Sequence, residues 1–276
     1  MALNSYSSTS VANPDLRADE RKRSGGNKKW LAEVGDGDGV ILIGGTSLAD
    51  FRVRVAQSSL RGDMLPSFWS QAGILLGGGM FASVPLDLDA RSTEPASRRN
   101  DDVSAVPRMN AVRLCSLDEI DSPRRFPNLA VIRFAEAHEN VRDHIKRIGG
   151  DHEKGTPGNR AIVDLPAMIL PWLAFIWGTS GSSNPLLHGM GLPSSAFVET
   201  VFAMAGFELT PGLSSASSCP EAIWQAAKWW TDFYESAAAS DATAKKTDAV
   251  AMVPKGAYII RQPSAAVEWP EATKKT

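Results

Sequence analysis

A chain of 276 residues with 43% hydrophobic and 22% charged side chains has the make-up of a globular protein with a substantial core, which excludes collagen-like and wholly disordered chains. Its formal net charge of -2 supplies no overall field for nucleic acid or anionic lipid, so neither is an expected partner. Two cysteines, Cys115 and Cys219, lack the paired spacing of a zinc or redox motif; no metal or cofactor is expected, and the thiols fit an intracellular or cytoplasmic setting.

Residues 1–29 are rich in Ser, Asn, Arg and Lys, without hydrophobic periodicity or the apolar stretch of a signal peptide. They are expected to form a flexible N-terminal arm. Residues 39–43 (GVILI), punctuated on both sides by glycine, read as a buried strand, after which Ser47 caps a helix with Leu48, Phe51 and Val55 at helical spacing. Residues 72–76, 111–114 and 129–134 read as further strands, and the glycines at 44–45 and 77–79 as turns. The polar stretch 87–107 is too long for a hairpin turn and reads as a surface insertion.

Helices dominate the second half. Residues 135–148 carry an apolar stripe through Phe134, Ala137, Val141, Ile145 and Ile148, while His138 and His144 stand six apart on different faces, without the spacing of a zinc-binding helix. His152 falls in a charged loop. The apolar stretch 165–177 is shorter than the ~20 residues that span a bilayer and contains two prolines, so a buried helix and no transmembrane segment is the expectation. Residues 195–205 predict a buried helix ended by Gly206. A last helix starts with Ser218 as N-cap and Glu221 as its capping-box partner, turning Ile223, Ala227, Trp230 and Tyr234 to the core. From residue 236 the chain becomes a mostly extended C-terminal arm, with 257–261 (AYIIR) as one candidate strand. Residues 30–235 thus form one domain of α+β class.

Four segments in order carry a resemblance: GDGVILIGGTSLADF (37–51), WSQAGILL (69–76), NAVRLCSLDEI with FPNLAVIRF (110–134), and PSSAFVETVFAMAGFEL (193–209) followed by a Thr-Pro-Gly-rich return. Together they resemble the circularly permuted papain-like proteins, relatives of NlpC-type cell-wall peptidases and of lecithin retinol acyltransferase. The resemblance spans roughly residues 38–230 and implies an antiparallel sheet packed against helices. It further implies a nucleophilic cysteine at the start of the fourth segment, a histidine base on the second, and a third polar residue that orients the histidine. At those positions stand Ser194, Gln71 and, by rough alignment, Ser83.

A cysteine at a helix start beside an imidazole becomes a thiolate nucleophile. A serine needs a base to act, and the Gln71 amide accepts no proton at neutral pH. Loss of one member of such a pair costs on the order of a million-fold in turnover in a serine protease. The expectation is therefore a non-catalytic domain acting as a binding, structural or assembly module, such as an accessory subunit of a larger particle, whose partners are other proteins or copies of itself. The alternative is a hydrolase or acyltransferase in which Ser194 is the nucleophile and His188, six residues earlier, is its base. Cys219 precedes a helix whose dipole would favour a thiolate, but it has no cationic neighbour in sequence and reads as structural.

Overall fold

The computed structural model describes residues 26–35, 39–86, 112–133, 165–240, 251–254 and 256–262. Among them lie five α-helices: α1 (Asn27–Val34), α2 (Leu48–Ala56), α3 (Leu165–Trp177), α4 (Pro193–Met204) and α5 (Pro220–Ser240). Six strands accompany them: β1 (Gly39–Gly44), β2 (Gln71–Gly77), β3 (Met80–Ser83), β4 (Arg113–Ser116), β5 (Asn128–Ile132) and β6 (Tyr258–Ile260). They build one sheet in the order β4-β3-β2-β1-β5-β6, with every neighbouring pair antiparallel. The class is α+β, with strands concentrated in the first half and helices in the second.

The inner strands explain their own sequences. All residues of β1 and β5 are buried, which is why both read as unbroken apolar runs rather than as an alternation. Strand β3, which lacks a clear periodic signal, is created by the turn before it. Gly77, Gly78 and Gly79 all adopt positive φ, a conformation that reverses the chain there and lays β3 antiparallel on β2. Strand β4 forms two residues later than the 111–114 reading, and β6 docks on β5 within the stretch expected to supply a strand.

Two expectations for the helices are corrected. Ser47 does cap α2, accepting from the Asp50 N–H at 3.1 Å, but the helix buries Val53, Arg54 and Ala56 and exposes Val55. Arg54 turns inward because main-chain carbonyls await it: its Nε donates to Ser67 O at 2.7 Å and its Nη1 to Gly45 O. Burial pushes its pKa down to about 10, which leaves it charged at neutral pH. At α5 the expected capping box is absent. The Ser218 hydroxyl donates to Glu199, and the Glu221 N–H donates to the side-chain Oε1 of Gln57, just beyond α2, at 2.9 Å. A cap has been supplied from a distant element, which no local pattern announces. Of the apolar stripe expected on α5, Ile223 and Ala227 are buried beside Trp224, whereas Trp230 and Tyr234 are only partly covered.

Helix α1 starts at Asn27, so the last residues of the segment read as an arm are helical; Asn27 is buried and donates to Ile120 O at 2.7 Å and Phe126 O at 2.8 Å. No described helix is long and apolar enough to cross a membrane. The surface insertion, the helix expected over 135–148 with His138 and His144, and His152 lie outside the described residues.

Candidate functional site

The site is assembled where α4 meets β2. Helix α4 opens with Pro193, whose fixed φ suits a first helical turn and whose missing N–H costs nothing there. Its entry is strapped to the chain leading into α5: the Gly191 N–H donates to Ala216 O at 2.7 Å and the Leu192 N–H to Ser218 O at 2.8 Å. Glycine is required at 191, because a Cβ there would come within 2.2 Å of Ser218 O. The Trp172 indole of α3 donates to Gly191 O at 2.7 Å and fixes the same strap from the other side.

This strap sets Ser194 against the sheet, 3% exposed. Strand β3 ends at Ser83, opposite Gly73, so Ala72 has no partner residue in β3. Its main-chain groups are taken by side chains instead. The Ala72 N–H donates to Ser194 Oγ at 3.2 Å, and Ser83 Oγ donates to Ala72 O at 2.6 Å. Gln71 Nε2 in turn donates to Ser83 Oγ at 2.9 Å. The three positions singled out in the sequence, from three separate elements, therefore converge on one residue of β2.

His188 does not join them. It closes a 3-10 turn at Pro185–His188, is exposed, and its Nε2 is hydrogen-bonded to Ser183 Oγ at 2.7 Å. Among the described residues, no histidine or carboxylate hydrogen-bonds Ser194 Oγ. Proton transfer requires a basic atom within roughly 2.6–3.2 Å of the hydroxyl. Among the described residues, the polar atom bonded to this oxygen is a main-chain N–H, which donates. A hydroxyl in that position is an acceptor that completes the sheet.

A second polar cluster lies at the far side of the α4 entry and was not legible in the sequence. Glu199, 4% exposed, accepts from Thr210 Oγ1 at 2.6 Å and from Ser218 Oγ at 3.0 Å. Burial raises its pKa, opposed by these hydroxyls and by main-chain N–H groups of Thr210 and Leu209. Fully buried Glu221 accepts from Ser67 Oγ at 2.5 Å and from Gln225 Nε2 at 2.6 Å, with the Arg61 guanidinium 4.0 Å away. Residues 199, 210 and 218, like 67 and 221, are too far apart in sequence for any spacing rule to join them.

Cys219 sits beside these carboxylates, and its thiol is pushed up to about 12, first by burial and also by the Glu221 and Glu199 charges. That is the opposite of the activation a helix start offers an exposed thiol. Cys115, on β4, is likewise buried. Among the described residues no group of three or more His, Cys, Asp or Glu side chains is placed to hold a metal ion. Compared with known proteins, the chain matches no family model, no curated protein and no solved structure.

Proposed function

We propose that this chain is a non-catalytic domain of the circularly permuted papain-like kind, in which the positions of nucleophile and base have become structural contacts, and that it serves as a binding or assembly module. The observation that carries the reading is the commitment of Ser194 Oγ to the Ala72 N–H in a nearly closed environment. Placement of residue 194 at a helix start, of residue 71 at the head of the adjoining strand and of residue 83 beside it is what the resemblance requires of a nucleophile, a base and an orienting group. Their chemistry is not. Gln71 supplies a donor where a base is needed, and that donor is spent on Ser83.

The competing reading, a hydrolase or acyltransferase built on Ser194 and His188, loses its base to Ser183 and its access to burial. Two buried thiols outside any disulfide suit a reducing, intracellular setting for the module. The test is turnover: purified protein is incubated with panels of peptides, amides and acyl esters, beside a Ser194→Ala variant. The expected result is no difference between the two above the uncatalysed rate. Turnover by the wild type that disappears in the variant would overturn the proposal.

A further inference from the structure

The segment that joins α3 to α4, residues 178–192, holds a serine and a histidine in contact, apart from the Ser194 site. Ser183 Oγ lies 2.7 Å from His188 Nε2, and both residues are exposed. On a protein surface water competes with such a pair, and two side chains must give up rotamer freedom to keep it. Here the main chain on either side is held in place. Ser182 Oγ donates to Thr179 O at 2.7 Å, with Ala174 O of α3 at 3.2 Å. Asn184 accepts from the Leu186 N–H at 3.1 Å and donates through Nδ2 to Ala56 O, at the end of α2, at 2.8 Å. Buried Pro185 opens the 3-10 turn, and Gly189 closes it in a left-handed conformation that side chains rarely adopt. Beyond it, Gly189 O accepts from Ser217 Oγ at 2.8 Å, and the Met190 N–H donates to Pro185 O at 3.1 Å. The turn is therefore tied to α2, to α3 and to the chain leading into α5.

We propose that Ser183 is an acyl-acceptor site, activated by His188, that takes one acyl group from an activated ester or thioester. Ser183 Oγ attacks the carbonyl carbon while its proton passes to Nε2, which lies within the roughly 2.6–3.2 Å that a general base needs. The bond from that carbon to the aryloxide or thiolate then breaks, and the departing group carries off the proton from Nε2. One ester is exchanged for another, with no change of oxidation state. The charge of the surroundings selects an acyl over a phosphoryl donor. Segment 178–192 contains no Lys, Arg, Asp or Glu, and Arg52 of α2, which reaches the end of α3, donates to Ile176 O. A phosphoryl group brings negative charge that cations must meet. An uncharged acyl group does not, and it finds Leu187, 71% exposed, next to His188. The new ester persists because a serine alkoxide is a far poorer leaving group than an aryloxide or a thiolate. Among the described residues nothing hydrogen-bonds His188 Nδ1 to steady the ring through repeated cycles. The site is one of modification and not of turnover, and it does not depend on the reading of Ser194.

The experiment exposes the intact chain at neutral pH to p-nitrophenyl acetate and, in a parallel arm, to phenyl thioacetate. Ester-linked acetyl, which hydroxylamine removes and lysine amides do not yield, is counted and located by tandem mass spectrometry. The expected result is about one equivalent per chain, placed on Ser183. Ser214 is the internal control: it is also exposed, but its hydroxyl contacts Ser217 Oγ and no imidazole. His188→Gln keeps a hydrogen-bonding amide beside Ser183 without a basic nitrogen, and should slow the labelling of Ser183 at least about a hundredfold. Ser183→Ala should abolish it. Both substitutions are at exposed positions, so circular dichroism and melting temperature should not change. Labelling of Ser183 no faster than that of Ser214, or labelling that persists unchanged in His188→Gln, would reduce the pair to an ordinary surface hydrogen bond and overturn the inference. So would release of aryloxide that continues past one equivalent and stops in Ser183→Ala, which would make the site an esterase. Fragment spectra resolve Ser183 from Ser194, so the two readings fail separately.

Discussion

Replacing Ser194 by alanine separates a structural from a catalytic role by the sign of its effect on stability. Alanine removes the acceptor of the Ala72 N–H at a position 3% exposed, where water does not replace it and where β3 has already ended. A buried donor left without a partner costs about 1–3 kcal/mol. For a chain of this size that corresponds to a fall in melting temperature of about 2–12 °C, given roughly 2–4 °C per kcal/mol. Urea unfolding should show a lower midpoint with an unchanged slope, since the area exposed on unfolding does not alter. Ser194→Cys, which keeps a weaker acceptor, should fall between the two. A side chain retained for chemistry behaves differently: its removal is neutral or stabilising, because active groups are held at some expense to the fold. An alanine variant as stable as the wild type, or more so, would refute the argument that this hydroxyl completes the sheet.

Other consequences follow from the same geometry. Because the folded-state pKa of Glu199 is raised, its contribution favours the fold below the ordinary glutamate value of 4.5 and is lost as pH climbs through the raised value. Glu199→Gln keeps an acceptor for Thr210 and Ser218 without the charge, so melting curves from pH 4 upward should show the variant gaining on the wild type; parallel curves would count against a strained buried carboxylate. Cys219 should resist iodoacetamide in the native protein at mildly alkaline pH and react only on unfolding, and rapid native labelling would contradict its burial. Gly191→Ala must push apart the two straps at the α4 entry and should cost about 1–3 kcal/mol in urea unfolding, against little change for Gly62→Ala, where nothing lies within 4 Å and φ is not left-handed.

What could be read from the sequence was what its local periodicities encode. Strands β1 and β5 announce themselves by unbroken apolar runs because both of their faces are covered. Helix α4 ends where Gly206 takes positive φ, as its sequence indicated. Hydrogen bonds gather residues 71, 83 and 194 around Ala72, and no spacing in one dimension relates a strand residue to a helix start 123 positions later. What stayed hidden depends on partners remote in sequence. Arg54 on the inner face of α2 violates the pattern of an amphipathic helix, and the carbonyls of Gly45 and Ser67 help make it tenable. The start of α5 displays a local capping signature, yet Gln57 and Glu199 compete for the groups involved and win. A buried polar network is decided by tertiary contacts, and binary patterning carries no trace of them.

The most direct test of the Ser194 assignment is covalent. Intact protein is exposed to a fluorophosphonate probe that traps activated serines, digested, and read by tandem mass spectrometry over the peptide containing residues 193–209. A hydroxyl that accepts a main-chain N–H and has no base beside it should carry no adduct, even after prolonged exposure. An adduct on Ser194 formed by the native protein, and absent after unfolding, would contradict the account.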